Sequence, residues 1–310
     1  MMFNLKLLLG LRLLAGLAEA LPQQAPADGP HAKRTTRIIA RRINSSLTDD
    51  YAELFDHASD LSCRCASPEF LNYPHFNITP PEEAEQCADY KLIDARGTGE
   101  PQGVSLMFYN MIQHTLDAVP GGVSQPVPYP AAPTQNITSG AMWLAETLRQ
   151  GVQDCPNQRY GLFGYSQGAV LTLTVLAELA ENPTVMDAIQ SLVLVGNPFH
   201  MPGKLSNVDP HGNRNPSDTS IGIAAAPAPD AGASTDAATS GPRIPTALDQ
   251  SGKAIDYCLD DDNICAINPR CDCTGTIYTL GHVSYVGTES VQNSAIKHLT
   301  RQFTNNATSS

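Results

Sequence analysis

The sequence predicts an α/β domain: a doubly wound, mainly parallel five-stranded sheet with helices on both faces, stapled by disulfides. Three observations predict it. From Cys87 onward, short apolar runs alternate with longer segments of helical periodicity, the rhythm of a parallel sheet with crossover helices. Ser191-Leu192-Val193-Leu194-Val195 is almost continuously apolar, as a strand covered on both faces must be. The chain also carries eight cysteines, an even number, in a pattern suited to an oxidising compartment.

Taken in order, Tyr90-Lys91-Leu92-Ile93 reads as a short strand and Val104 to Val119 as a helix. Val123 to Tyr129 is extended but interrupted by Pro126 and Pro128, which restricts it to a sheet edge. Ser139 to Val152 is amphipathic, with Ala141, Leu144, Ala145, Leu148 and Val152 on one face. A strand from Arg159 then leads into an apolar, proline-free helix from Ala169 to Ala180. After the strand at 191–195 the rhythm stops. Ala224 to Gly241 is almost entirely Ala, Pro, Gly, Ser, Thr and Asp, a composition that builds no core. The stretch near 204–249 is therefore read as a flexible insertion within the single domain 87–310. A strand near Ala254 to Tyr257, a Cys-rich loop and a helix from Val291 to Phe303 complete it.

The N-terminal residues stand apart. Lys6 and Arg12 accompany a Leu-rich run from Leu7 to Leu17 that ends in Ala18-Glu19-Ala20, so residues 1–20 read as a signal peptide. The run is too short to span a bilayer. Residues 21–42, rich in Pro, Ala and Gln and ending in basic pairs at Lys33-Arg34 and Arg41-Arg42, read as a pro-segment; residues 43–86 read as an extension. Cleavage after Arg42 would leave 12 of the 19 basic and 29 of the 31 acidic residues, a net charge of −17. Such a protein repels nucleic acid and anionic membranes. A secreted, extracellular protein without stable membrane insertion is expected, acting as a monomer on neutral substrates. Sequons at Asn44, Asn77, Asn136 and Asn306 predict surface positions open to glycosylation. Cys63-Arg-Cys65 and Cys271-Asp-Cys273 have spacing too tight for a usual zinc knuckle, so disulfides are expected and no metal.

The most informative segment is Gly164-Tyr165-Ser166-Gln167-Gly168, between the strand at 159–163 and the following helix. Strand, glycine-flanked serine and helix form a nucleophile elbow: the serine occupies a strained turn with its hydroxyl exposed, and its neighbours two residues away must leave room for the backbone. The helix start turns N–H groups toward a developing oxyanion. In chemistry of this type the order is Ser, acid, His. Of the later histidines, His282 lies before the last helix, where a base can reach the serine; His200, His211 and His298 read as structural or surface residues. Asp260, Asp261 and Asp262, between Cys258 and Cys265, supply the acid, and the residues alone do not choose among them. Asp94 to Pro101, Gly-rich and directly after the first strand, can supply oxyanion donors; the N–H of Gln167 would be the second.

These residues resemble the cutinase family of fungal cutinases, acetylxylan esterases and cutinase-like esterases. Gly-Tyr-Ser-Gln-Gly at 164–168 is similar to its nucleophile motif, Ala-Arg-Gly-Thr-Gly-Glu-Pro at 95–101 to its oxyanion loop, and Cys258-x-x-x-Asp262-x-x-Cys265 to its acid-bearing element. The resemblance covers the chain from Cys87 to the C-terminus. It implies a Cys87–Cys155 disulfide, closure of the acid loop by Cys258 and Cys265, Asp262 as the acid, His282 as the base, and Thr98 with Gln167 as the oxyanion hole. The Cys265–His282 spacing is longer than the family's and contains Cys271 and Cys273; pairing of either with Cys258 would reshape the acid loop. The two C-x-C elements are expected to staple the 43–86 extension to the His-bearing loop.

The implied function is a secreted serine esterase working through Ser166, His282, Asp262 and an acyl-enzyme, with no metal or organic cofactor. Its substrate would be an aliphatic ester, a cutin-like polyester or a lipid ester. Deacetylation of acetylxylan or another polysaccharide is the alternative within the family. A catalytically silent secreted binding or effector protein is the alternative of a different class.

Overall fold

The computed structural model describes residues 87–225, 241–266 and 280–304. Its elements are β1 (Tyr90–Ala95), α1 (Tyr109–Ala118), β2 (Gly122–Ser124), α2 (Thr138–Asp154), β3 (Arg159–Tyr165), α3 (Gln167–Glu178), α4 (Pro183–Ala188), β4 (Ile189–Val195), β5 (Asn207–Val208), α5 (Thr246–Ser251), β6 (Ala254–Tyr257), α6 (Leu280–Val283), a 3₁₀ turn (Ser284–Val286) and α7 (Glu289–Thr304). The strands form one sheet in the order β2-β1-β3-β4-β6-β5, parallel at every pairing.

Strand alternation divides the interior into two cores. Ile93, Leu162, Leu192 and Leu194 face one side and pack with Leu144 and Leu148 of α2, Leu171 and Val175 of α3, and Val185 of α4. Leu92, Phe163, Val193 and Val195 face the other side and pack with Met111 and Ile112 of α1 and Val291, Ala295, Leu299 and Phe303 of α7. Successive strand residues point to opposite faces, so an apolar run such as Leu192–Val195 feeds both layers at once. This is the doubly wound architecture anticipated, with one strand more. The sixth strand, β5, has only two residues, too few to leave a periodic signal.

Three local details bear on the sequence reading, two as departures from it and one, the proline-interrupted edge, in agreement with it. The helix anticipated from Val104 begins at Tyr109; before it, Ser105 N–H bonds Asp94 Oδ2 (2.7 Å), Leu106 N–H bonds Glu100 Oε1 (2.8 Å) and Phe108 N–H closes a turn onto Ser105 O (3.1 Å). Beyond β2, Gln125 and Val127 still donate to β1, at Leu92 O and Asp94 O. Pro126 and Pro128 occupy the alternate positions, whose missing N–H groups the edge tolerates. Finally, much of the segment near 204–249 is packed. Ser206, Asn207, Asp218 and Ser220 are buried, and β5 pairs with β6; residues 226–240, which hold most of the low-complexity stretch, lie outside the described residues.

Two disulfides are present among the described residues. Cys87–Cys155 ties the start of the domain to the end of α2, and Cys258–Cys265 closes the loop after β6. The first spans 68 residues, for which chain-entropy arguments give roughly 4 kcal/mol of stabilisation. Cys63, Cys65, Cys271 and Cys273, and the connection proposed for them, lie outside the described residues. Among the described residues no helix is long and apolar enough to cross a membrane.

Candidate active site

The site forms at the carboxyl ends of β1, β3, β4 and β6, four strands adjacent in the sheet. Strand order reverses between β1 and β3, the crevice where parallel α/β sheets bind ligands. Ser166 follows β3 in the strained conformation φ 53°, ψ −115°, which costs about 1–3 kcal/mol and persists only where the surroundings enforce it. Its N–H is held by Val195 O (3.1 Å), and its side chain does not cap α3, so the hydroxyl is left for other uses. The flanking glycines have separate reasons. A Cβ on Gly164 would stand 2.6 Å from Ala169 Cα, and one on Gly168 would stand 2.0 Å from Ala95 O. The elbow is thus folded tightly on itself and α3 is pressed against the end of β1.

Asp262 and His282 meet beside this turn. Asp262, fully buried, lies in the loop closed by Cys258–Cys265; His282 lies in α6 and is 3% exposed. His282 Nδ1 is 3.0 Å from Asp262 Oδ1 and 2.9 Å from Oδ2. A carboxylate only accepts, so Nδ1 carries a proton and Nε2 is the basic nitrogen of the neutral ring. Nε2 is buried and makes no hydrogen bond among the described residues. Burial alone would raise the Asp262 carboxyl, but His282, the Tyr285 hydroxyl and the Ile264 N–H outweigh it and hold Asp262 below the usual range. Tyr165, beside the serine, packs its ring at a tilt of 32° against the His282 ring, with centroids 5.0 Å apart, and donates its hydroxyl to His282 O (2.9 Å). The same tyrosine ring covers Gly97, where any Cβ would approach to 2.4 Å. Tyr165 therefore braces the His-bearing helix and the loop after β1 together.

That loop is built around buried charge. Glu100 accepts from Gly97 N–H (2.6 Å), Leu106 N–H and the Ser105 hydroxyl, while the buried Arg96 side chain bonds Glu100 O, Gln102 Oε1 and Tyr129 O. Gly99 N–H bonds Ala131 O (2.8 Å). With these donors used, the N–H groups of Thr98 and Gln167 make no hydrogen bond among the described residues. Thr98 Oγ1 accepts from Gln135 Nε2 (2.9 Å), which turns the threonine's own proton away from Gln135. Gln167 is nearly fully buried, its amide anchored on Ala132 O (3.0 Å).

The structure thus brings Ser166, Asp262, His282, Thr98 and Gln167 to one end of the sheet. The rival histidines that lie deep are structural. His200 is enclosed by Asp256 (2.9 Å) and Asp218 (2.8 Å), and His298 contacts Lys253 O (3.3 Å). Asn136 is exposed, one residue from Gln135; Asn44, Asn77 and Asn306 lie outside the described residues. Sequence reasoning missed Tyr285, Tyr165 and Gln135. Tyr285 had one available signal, its place three residues after His282, close to one turn. Gln135 had none, because its contact with Thr98 spans 37 residues.

Geometry and comparison agree on the class of protein. The cutinase family model matches residues 86–303, most of the chain. A cutinase from Trichoderma harzianum is 30% identical over 198 residues, covering 60% of this chain and 75% of the relative. A carboxylesterase from Mycobacterium tuberculosis is 28% identical over 208 residues, covering 66% of this chain and 76% of its own length. Among solved structures, a cutinase-like protein from Cryptococcus sp. superposes with a TM-score of 0.58 at 29% identity, over 71% of this chain and 97% of that one. The catalytic core of an acetyl xylan esterase from Trichoderma reesei shares the fold, with a TM-score of 0.51 at 21% identity over 70% of this chain and all of that one. The chain belongs to the cutinase family. It is a carboxylic ester hydrolase.

Proposed function

We propose that the protein is a secreted serine esterase that cleaves aliphatic esters, of the cutin-like polyester or lipid type, through Ser166, His282 and Asp262. The observation that carries this reading is the His282–Asp262 pair: Nδ1 is committed to the carboxylate and Nε2 is free, beside a strained serine whose hydroxyl is not used for capping. His282 Nε2 takes the Ser166 proton as Oγ attacks the ester carbonyl. Asp262 holds the ring and stabilises the imidazolium, and the N–H groups of Thr98 and Gln167, with the Thr98 hydroxyl, receive the oxyanion. The imidazolium returns its proton to the leaving alcohol. Water, activated by the same histidine, then releases the acid from the acyl-enzyme. The two disulfides fit folding in an exporting, oxidising compartment. The exposed Asn136 is an acceptor site for N-glycosylation in that compartment.

The test is hydrolysis of p-nitrophenyl esters from acetate to palmitate by the wild type and Ser166→Ala. The expected outcome is turnover greatest at butyrate or longer, reduced by roughly 10⁴-fold or more in the variant. A steep preference for acetate would move the substrate to acetylated polysaccharide. Absence of turnover by the folded, disulfide-intact protein would support a silent binding protein instead.

A further inference from the structure

Tyr285 is fully buried in the 3₁₀ turn that follows α6, and its hydroxyl has a fixed hydrogen-bond direction. The oxygen accepts Leu259 N–H at 3.0 Å and lies 2.6 Å from Asp262 Oδ2. A backbone N–H cannot accept, and the neighbouring Cys265 sulfur, at 3.5 Å, belongs to a disulfide and is a weak acceptor. The tyrosine proton is therefore directed to Asp262. The same Oδ2 faces His282 Nδ1 at 2.9 Å, while Oδ1, itself 3.0 Å from Nδ1, takes Ile264 N–H at 2.8 Å. Tyrosine and histidine thus draw on one carboxylate and meet at its Oδ2, so the charge that the tyrosine neutralises there is not available to the histidine.

We infer that Tyr285 is a positioning residue of the esterase, locking the rotation of Asp262 and limiting the negative charge that reaches the His282 ring. This rests on the esterase reading above. Burial and the Asp262 charge keep the phenol well above its ordinary titration range, so it remains a donor throughout the working pH range. The other acid facing this group is Asp261, whose backbone and carboxylate abut Gly281 and which burial pushes up to about 6. Tyr165 sets its ring against the imidazole and bonds His282 O through its hydroxyl.

The experiment compares wild type, Tyr285→Phe and Tyr160→Phe. The last deletes a buried hydroxyl, bonded to Gln158, at the opposite end of β3. Hydrolysis of p-nitrophenyl butyrate is followed from about pH 5 to pH 9, in the Asp261→Asn background as well, to remove its titration. For Tyr285→Phe, kcat is expected to fall about tenfold, equivalent to about 1.4 kcal/mol, with KM within about twofold. The acid limb of the pH profile should rise by about half a unit, because the unshared carboxylate holds the imidazolium more strongly. Tyr160→Phe should leave both unchanged. A wild-type kcat and profile in Tyr285→Phe, with only a lower Tm, would overturn the inference and make the residue structural. Should that variant fail to fold, Tyr285→3-fluorotyrosine preserves the bulk and strengthens the donor; its acid limb should move downward, and an unmoved limb overturns the inference. Turnover unaffected by Ser166→Ala would defeat the Ser166–His282–Asp262 reading on which the inference rests, so the two failures are distinguishable.

Discussion

Gly196 lies against His282. A Cβ at position 196 would stand 2.6 Å from His282 Cε1, 2.7 Å from Nδ1 and 2.9 Å from Asp262 Oδ2, and its backbone has φ +57°. The turn after β4 is thus a floor for the histidine and its acid together, and only a residue without a side chain fits there. Gly196→Ala should displace the imidazole and reduce kcat/KM by about 100-fold or more, the scale on which a displacement of about 1 Å acts. Steady-state kinetics alongside thermal unfolding would check this; an unimpaired variant would show that the ring does not need its present seat.

The loop after β1 makes a second prediction. Thr98→Val removes the hydroxyl, and Gln135→Leu removes the amide that directs it. The first should lower kcat by about 10–100-fold, somewhat less than loss of a whole oxyanion donor, with little change in KM. The second should produce part of that loss. Equal kcat for wild type and both variants would leave the backbone N–H groups as the entire oxyanion hole.

His200 makes a prediction about stability. Burial alone would lower its pKa, but Asp256 and Asp218 outweigh burial and push it up to about 10. The imidazolium therefore stabilises the fold fully below the unfolded pKa near 6.5, and that contribution is lost as pH rises through about 10. His200→Gln would leave two carboxylates enclosed without their cation, and should cost about 3–5 kcal/mol. Denaturant unfolding at neutral pH measures it. A loss below about 1 kcal/mol would mean the cluster opens to water.

Asp94 and His298 should tilt the stability curve in opposite directions. Burial is the main force lifting Asp94 to about 7, against the opposing Ser105 N–H bond. The folded state prefers its proton, so stability falls as pH rises from about 4 through 7, by at most about 1.4 kcal/mol per unit. Burial, assisted by Arg301, lowers His298 to about 4. Its contribution is present above about 6.5 and is lost as pH falls through 4. Both contributions change between about pH 4 and 7, so Asp94→Asn should remove the fall and His298→Gln the rise across that window; unchanged slopes would refute the corresponding assignment.

Opening Cys258–Cys265 by paired substitution with Ala should affect activity more than stability. The bond closes a loop of only 7 residues' separation, for which chain entropy supplies roughly 2–3 kcal/mol, but that loop presents Asp262 to His282. Full activity in the double variant would show that Tyr285 and Ile264 hold Asp262 without the bridge.

What was legible in the sequence was what near neighbours in the chain decide. Short apolar runs revealed the strand from Arg159 and the strand at 191–195, the stripe on α2 revealed its buried face, and the glycines around Ser166 marked the tight turn. Each of these is a backbone or periodicity constraint acting within a few residues. The expectation of a flexible segment near 204–249 was too broad, because local composition does not show that Asp218 will meet His200 or that Asn207 will join the sheet. The choice among Asp260, Asp261 and Asp262 was likewise closed to local pattern. Family resemblance selected Asp262, and the contact with His282 comes from packing.

The sequence by itself determined the class of fold, the elbow and the set of candidate groups, because periodicity, chirality and turn sterics are short-range. Only the tertiary structure decided how those groups are tuned: Gly196 beneath the imidazole, Tyr165 joining two loops, Gln135 directing Thr98, Tyr285 on Asp262, and a carboxylate on either side of His200. These contacts join residues far apart in the chain. They depend on strand order and crossover packing, which fix distances and exclude water, and those two factors decide where a proton resides and which way a hydroxyl points.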